Sequence, residues 1–397
     1  MELGIRRMFL GATAIATACL FGAVTVAGQA VPVPAPAAAP AQGPAQAVVM
    51  SQDVFKTATT LRGIPVDTFF ESMGMFASAM GADCTFCHDK GAYFDKSMFA
   101  KLTPRMFMAR QMMTMMEGIN KQYFQGRKRV TCSTCHTGTN SPRKEPDLAL
   151  QYGPPVEDAN AMEFPVDTRV TPDQVFAKYL QAIGGADRLA RFTSFAAKGL
   201  YSGFDTGFVK VPVELVGRAP AQQAMIVHMS AGDSTRTFDG GSGGWMAGPD
   251  TPLPLLTLTG GNLERARLEA TMAFPAGLRQ AFGQWRVGRT AIDGRDVQIL
   301  QGTAAGLPPA NLYFDASGLL VRMVRWTDTP VGMVPTQVDY ADYRDVAGVK
   351  IPFKRTVSQT YMQMSVELSE MQPNVPVDAA RFAKPVPSNV ERMAPGA

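Results

Sequence analysis

Residues that bind soft metals are scarce in this chain: among 397 residues there are five cysteines and three histidines. Charge is also thin. Asp, Glu, Lys and Arg make up 18% of the sequence, and the formal net charge is only +4. That excess is too small for a nucleic-acid binder, and no arginine-rich stripe alternates with aromatics as single-strand binding requires. Wholesale disorder is excluded, because 46% of the residues are apolar, enough for a real core. One residue type is in excess: there are 24 methionines, ten of them between Met73 and Met116. Four of the cysteines and two of the histidines fall in two copies of one short pattern, so nearly every soft-metal donor is accounted for.

The length allows two ordinary domains after a targeting segment. Residues 1–30 read as a secretory signal. Arg6 and Arg7 give a basic start, Met8 to Val26 is apolar, and cleavage would follow Ala30. If uncleaved, the same run is long enough to span a bilayer. Cys19, after Ala16-Thr17-Ala18, is either a lipidation point or a small residue of that run. The expected location is therefore the periplasm, free or membrane-anchored.

Residues 31–50 are Pro/Ala-rich without periodicity, an extended tether. Residues 51–140 carry helical patterns at Asp53 to Leu61, Pro65 to Met80 and Thr103 to Tyr123, with Thr103 as cap and Pro104 at the first position. Residues 141–169, rich in Pro, Asp and Asn, predict a linker and hence two separate cores. Residues 170–390 start with a helix at Thr171-Pro172-Asp173 and continue as short alternating runs between turn signals. Such spacing predicts an antiparallel sheet or open barrel, with Leu263 to Gly283 as a helix over one face.

The repeated pattern is Cys84-Thr85-Phe86-Cys87-His88 and Cys132-Ser133-Thr134-Cys135-His136. Cys-x-x-Cys-His is the haem-attachment pattern. Two thiols three residues apart on a helical turn meet the two vinyl groups along one haem edge. The following histidine then lies beneath the ring and offers its imidazole to iron. A zinc site would need the two Cys pairs to converge. A thioredoxin-like site explains neither histidine. Two covalently bound haem c groups are the expected cofactors, attached at Cys84, Cys87, Cys132 and Cys135, with His88 and His136 as iron ligands.

Only His228 remains beyond these, in a strand pattern of the other region, where it reads as an ordinary sheet histidine. Two bis-His haems are therefore impossible within one chain, and thioether sulfur is the natural sixth ligand. Met73, Ala77 and Met80 share one helical face, but Met80 is too close to Cys84 to pass round the haem edge. Met73 is the better candidate. In the second helix Met108, Met112 and Met115 share a face, with Met112 central. Most of the other methionines are expected to fill core gaps. Arg110 is the best candidate partner for a haem propionate.

Residues 54–138 resemble the cytochrome c subunit of photosynthetic reaction centres. The features that carry this are Phe70-Glu71-Ser72-Met73, the first haem motif, Ala109-Arg110-Gln111-Met112, Ile119-Asn120, and Val130-Thr131 leading into the second motif. In that family a helix upstream of each motif supplies the axial methionine, and the matching positions here are Met73 and Met112. The family's tetrahaem subunit has four motifs; this chain has two, corresponding to the N-terminal pair. The resemblance implies electron donation to a membrane complex in photosynthesis.

Residues 170–390 resemble the half-barrel of lipoprotein-carrier and sorting proteins. The features are Gly184-Gly185, Asp239-Gly240-Gly241, Leu312-Tyr313-Phe314-Asp315 and Asp339-Tyr340-Ala341-Asp342-Tyr343-Arg344. The expected fold class is thus α+β multidomain, a mostly α dihaem cytochrome domain followed by an antiparallel β half-barrel with covering helices.

The expected function is electron transfer between a membrane-bound complex and another carrier, with no catalytic residues. One alternative is a dihaem redox enzyme such as a peroxidase, in which one iron must open a coordination site. The other is a binding module whose half-barrel takes a lipid or protein ligand.

Overall fold

The computed structural model describes residues 48–153, 158–249 and 253–386. The signal segment, Cys19, most of the 31–50 tether and the last residues of the 170–390 region lie outside them. Among the described residues no helix is long and apolar enough to cross a membrane.

The first region is helical. A single turn, α1 (Ser51–Val54), replaces the longer helix expected to Leu61. The chain instead closes a loop: the Ser51 N–H donates to the Ile64 carbonyl at 2.8 Å and Ser51 Oγ to that of Leu61 at 2.6 Å. The β-branched Thr57, Thr59 and Thr60 lower the helix propensity that would oppose this. Helix α2 (Val66–Met80) ends at Gly81, whose φ of 60° is left-handed. Helix α3 (Pro104–Phe124) begins as the sequence predicts, with Thr103 Oγ1 accepting from the Met106 N–H at 3.2 Å and proline at the first turn. Two short helices follow, α4 (Cys132–His136) and α5 (Leu148–Tyr152).

The second region begins with α6 (Pro172–Ala182), whose capping box joins Thr171 and Gln174, and α7 (Ala186–Arg191). Six strands follow: β1 (Ser194–Gly203), β2 (Val211–Arg218), β3 (Gln222–Met229), β4 (Gly232–Phe238), β5 (Gly244–Ala247) and β6 (Leu255–Thr257). Helix α8 (Gly260–Ala273) leads to a second series. It comprises β7 (Gln284–Ile292), β8 (Arg295–Ala304), β9 (Leu307–Phe314), β10 (Leu320–Thr329), β11 (Gly332–Val346), β12 (Val349–Gln359) and β13 (Gln363–Pro373). The pattern expected one helix from 263 to 283. Pro275 instead stops α8 and starts a 3-10 turn to Gln280. Strands β4 to β7 escaped the sequence reading because Gly, Ser, Thr and Asp dilute their alternation, as in Gly232-Asp233-Ser234-Thr235.

All pairings in the sheet are antiparallel, in the order β6-β5-β4-β3-β2-β1-β13-β12-β11-β10-β9-β8-β7. The chain starts in the middle, works out to one edge, crosses by α8 to the other edge, and returns beside β1. One face of the sheet buries the main core with α6, α7 and α8, including Phe176, Tyr179, Leu268, Phe314, Met323 and Leu368. Part of the opposite face carries a second cluster, Val297, Ile299, Tyr313, Val324 and Trp326.

This second cluster changes the meaning of the linker. Residues 158–167 lie across it as a strap, with Met162 and Phe164 packed on the cluster and Val166 bridged to Gly288. Asn311 Nδ2 and Gln301 Nε2 donate to the carbonyls of Ala161 and Met162 at 3.1 and 2.8 Å.

Separate cores are not what the structure shows either. Met75 of α2 and Met113 and Met116 of α3 share one apolar cluster with Val331 and Val334 of the β10–β11 hairpin. Gly74 lets α2 approach Thr360 and Tyr361 at the β12–β13 turn, where a Cβ would meet the Tyr361 ring at 2.7 Å. The Asp67 carboxylate accepts from the Thr259 N–H at 2.6 Å, from Thr259 Oγ1 at 2.7 Å and from Asn262 Nδ2 at 3.2 Å at the start of α8.

Candidate haem-attachment centre

Cys84 opens a 3-10 turn whose N-cap is Asp83; its carboxylate accepts from the Thr85 N–H at 2.8 Å and from Thr85 Oγ1 at 2.7 Å. The hydroxyl bond chiefly holds the Asp83 carboxyl below its ordinary range. The turn is tied to α3 from two sides. Thr103 Oγ1 donates to the Cys87 carbonyl. Arg105 donates to the Phe86 carbonyl at 2.7 Å, its guanidinium carbon 3.9 Å from the centre of the Phe86 ring.

The second motif is helix α4, entered through Thr131, whose N–H donates to Thr134 Oγ1 at 3.0 Å. The loop before it is pinned by Asn120. Asn120 Nδ2 donates to the Val130 carbonyl at 2.7 Å, and Oδ1 accepts from the N–H groups of Arg129 and Val130 at 3.0 and 2.9 Å. Asn120 entered the sequence reading only through a resemblance; its work is to close the ten-residue approach to the motif.

Helix α2, which leads into the first motif, also carries the second on its flank. The Gly138 N–H donates to the Ala79 carbonyl at 2.9 Å, and Ser133 Oγ to Met75 Sδ at 3.4 Å. Gly81 is needed here for a second reason: a Cβ would strike the Gly138 carbonyl.

Each imidazole has one nitrogen committed. His88 Nδ1 lies 2.9 Å from the Phe99 carbonyl oxygen, and His136 Nδ1 lies 3.2 Å from that of Thr139. A carbonyl only accepts, so the proton sits on Nδ1 and the Nε2 lone pair is left for a metal. Burial pulls the His88 pKa down, which favours the neutral, ligating form. Burial likewise pushes the thiols of Cys84, Cys87 and Cys132 up, the direction opposite to that of a redox dithiol's thiolate.

The candidate methionines lie in different surroundings. Met112 is 36% exposed, on a face shared with the exposed Met108 and Met115. Met113 and Met116, one helical face away, are buried in the shared cluster, as expected of core-filling methionines. Met73 is half-buried and packs against that cluster. Arg110 donates to the Thr57 carbonyl at 2.6 Å, which ties α3 to the 55–60 loop.

These residues fit haem c. Each motif offers two thiols on one turn beside an imidazole of fixed tautomer. The chain between the motifs exposes the apolar side chains Phe94, Phe107, Met108, Met112 and Met115, Phe94 at 96%, which a porphyrin would shield from water. Among the described residues no three His, Cys, Asp or Glu side chains converge as a shared zinc site needs.

Comparison with known proteins bears on both regions. Residues 12–179 match the family described as photosynthetic reaction centre cytochrome C subunit, a cytochrome c family that implies covalent haem. No curated protein matches the chain. Among solved structures, a DUF1329 family protein from Desulfovibrio piger is similar at 10% identity, covering 53% of this chain and 96% of its own, with a TM-score of 0.38. A LolA superfamily protein from Nitrosomonas europaea is similar at 12% identity, covering 54% of this chain and 98% of its own, with a TM-score of 0.37. Over residues 12–179 the chain is thus similar to the photosynthetic reaction centre cytochrome C subunit family, and the open antiparallel sheet follows in the same chain.

Proposed function

We propose that this is an exported dihaem c-type cytochrome that passes electrons between a membrane-bound complex and another carrier. The observation that carries the reading is the pair of Cys-x-x-Cys-His turns, each with its imidazole Nδ1 held by a main-chain carbonyl. Haem c bound there supplies a one-electron ferrous–ferric couple. The chain's own part is to hold geometry. Cys84 and Cys87, and Cys132 and Cys135, are the thioether positions. His88 and His136 would hold iron through Nε2, and Met73 and Met112 would supply thioether sulfur as the further donors.

Acid-acetone extraction of the purified protein, followed by mass measurement of the polypeptide, tests this. Two haems per chain should remain attached. One haem, or extractable haem, overturns the reading. A high-spin spectrum of the resting protein would instead support an open coordination site, as in a dihaem peroxidase.

A second reading concerns the half-barrel, where Tyr179, Phe192, Leu215 and Tyr340 line a cavity of about 70 Å³ between sheet and helices. It suits a small apolar ligand, such as part of a lipid. Organic extraction of the purified protein followed by mass spectrometry should release it, and a clean extract speaks against this reading.

A further inference from the structure

A buried guanidinium with two unbonded nitrogens lies beneath α8. Arg325 sits on β10 between Met323 and Thr327, and period-two alternation puts all three on one face of the strand. Met323 belongs to the main core on that face. Gly261, in the first turn of α8, lies directly over Thr327: a Cβ there would come within 2.8 Å of the Thr327 Cα. Arg325 is only 2% exposed, and its Nε and Nη2 are both buried without a hydrogen-bond partner. Burial pulls its pKa down to about 10, which leaves it charged at neutral pH.

The charged groups that face it all come from α8: Glu264, Arg265 and Arg267. Glu264 is already taken by Arg267 at 3.0 Å. Arg265, 3% exposed, has Glu269 no nearer than 3.8 Å, and its own Nε is unpartnered. Its Nη1 reaches Thr336 Oγ1 at 3.3 Å, and Thr336 is the cross-strand partner of Arg325. Two carboxylates of α8, Glu264 and Glu269, thus stand beside these three guanidinium groups, with the buried Glu71 also acting on Arg265, and none of them bonds Nε or Nη2 of Arg325. Burying a charge with no partner is strongly unfavourable. The two orphaned nitrogens of Arg325 are the adjacent pair whose N–H bonds run parallel, the fork that fits two oxygens of one carboxylate.

We propose that the half-barrel binds a carboxylate beneath α8, held by Nε and Nη2 of Arg325 with Arg265 beside it. The carboxylate belongs either to a small free anion or to the end of a larger ligand. This site is separate from the haem motifs and does not depend on the haem count.

The test uses the full-length holoprotein, extracted of bound small molecules by exhaustive dialysis into chloride. Formate is then titrated in at constant ionic strength while the thermal unfolding of the half-barrel is followed by tryptophan fluorescence. The wild-type midpoint should rise by several degrees and saturate with formate. Arg325→Met should show no rise, and its midpoint in chloride should equal or exceed the wild type's, because an unpartnered buried charge has been removed. Arg325→Lys keeps the charge but lacks the fork, and should also lose the saturating response. An identical formate response in wild type and both variants overturns the proposal. So does a wild type that shows none. Mass spectrometry of the dialysate separates the sources: a stoichiometric carboxylic acid released from the wild type alone marks the end of a larger ligand, and its absence with an intact formate response marks a free anion.

Discussion

The acceptor that fixes each candidate imidazole is a main-chain oxygen, that of Phe99 for His88 and that of Thr139 for His136. Any residue can supply a carbonyl, so no side-chain pattern in the sequence announces these partners. The sulfur donors are different, because helical periodicity separates Met112 from its buried neighbours Met113 and Met116. If Met73 and Met112 each complete one iron, the oxidised protein should show the near-infrared band of sulfur-to-iron charge transfer. Met73→Ala and Met112→Ala should then each remove about half of it and lower one of two midpoint potentials. A band that survives both substitutions together refutes the assignment. Met73→Ala carries an added structural cost, since Met73 also packs on the shared cluster; the potential of the other haem serves as the control for that.

The strap over the outer face of the sheet shows how little composition says about an element whose anchors are distributed. Residues 141–169 are polar and proline-rich, yet Phe164 covers Gly288 so closely that a Cβ on that glycine would enter its ring. At the strap's end the Asp167 carboxylate accepts from Arg169 Nε and Nη2 at 2.9 and 3.0 Å, and pairs with Arg289 at 2.7 Å. The bonds from the Arg169 side chain, then from its N–H, hold the Asp167 carboxyl far below the ordinary value of 3.8. The folded pKa thus lies below the unfolded one. The stabilisation is complete above the unfolded value and is lost as pH falls below about 3.8 toward the folded value. Asp167→Asn should therefore unfold at a lower temperature than wild type at pH 7, and the gap should close in acid. Tryptophan fluorescence across a pH series reads this directly. A gap that does not change with pH would mean that the carboxylate charge contributes nothing.

Within the described part of the molecule the helical region that carries the two Cys-x-x-Cys-His motifs and the half-barrel lean on one another. The main core of the half-barrel is supplied by residues from Val175 to Leu368, so a C-terminal fragment has the means to fold without haem. What it loses depends on where it is cut. A fragment that begins at Asp158 keeps Met162 and Phe164 on the outer cluster; one that begins at Val170 does not. Losing these two partly buried side chains should cost roughly 2–4 kcal/mol, which for a domain of this size lowers the melting temperature by about 4–16 °C. Both fragments should melt below the full chain, because each uncovers Val331 and Val334 and leaves Thr259 and Asn262 without Asp67. Calorimetry on the two fragments decides it. Equal melting temperatures would show that the strap adds nothing to the sheet.

Local chemistry is the part of this protein that one-dimensional spacing determines. The thioether and imidazole positions sit within five consecutive residues of each motif, and the caps of α3 and α6 are set by Thr103-Pro104 and Thr171-Pro172. The alternation of strands was legible where apolar residues are dense, as in β10 and β11, and faded where Gly, Ser, Thr and Asp break the pattern, as in β4. Nothing along the chain places Asp67 against Thr259, 192 residues away, or α2 against two hairpin turns beyond residue 329. The unbonded Arg325 fork is equally invisible in sequence. It arises because β10 and α8, separated in sequence by three strands, pack together and leave a guanidinium fork between them. Adjacent residues can encode a motif, but a shared core or a counter-ion requirement exists only once distant segments have excluded water together.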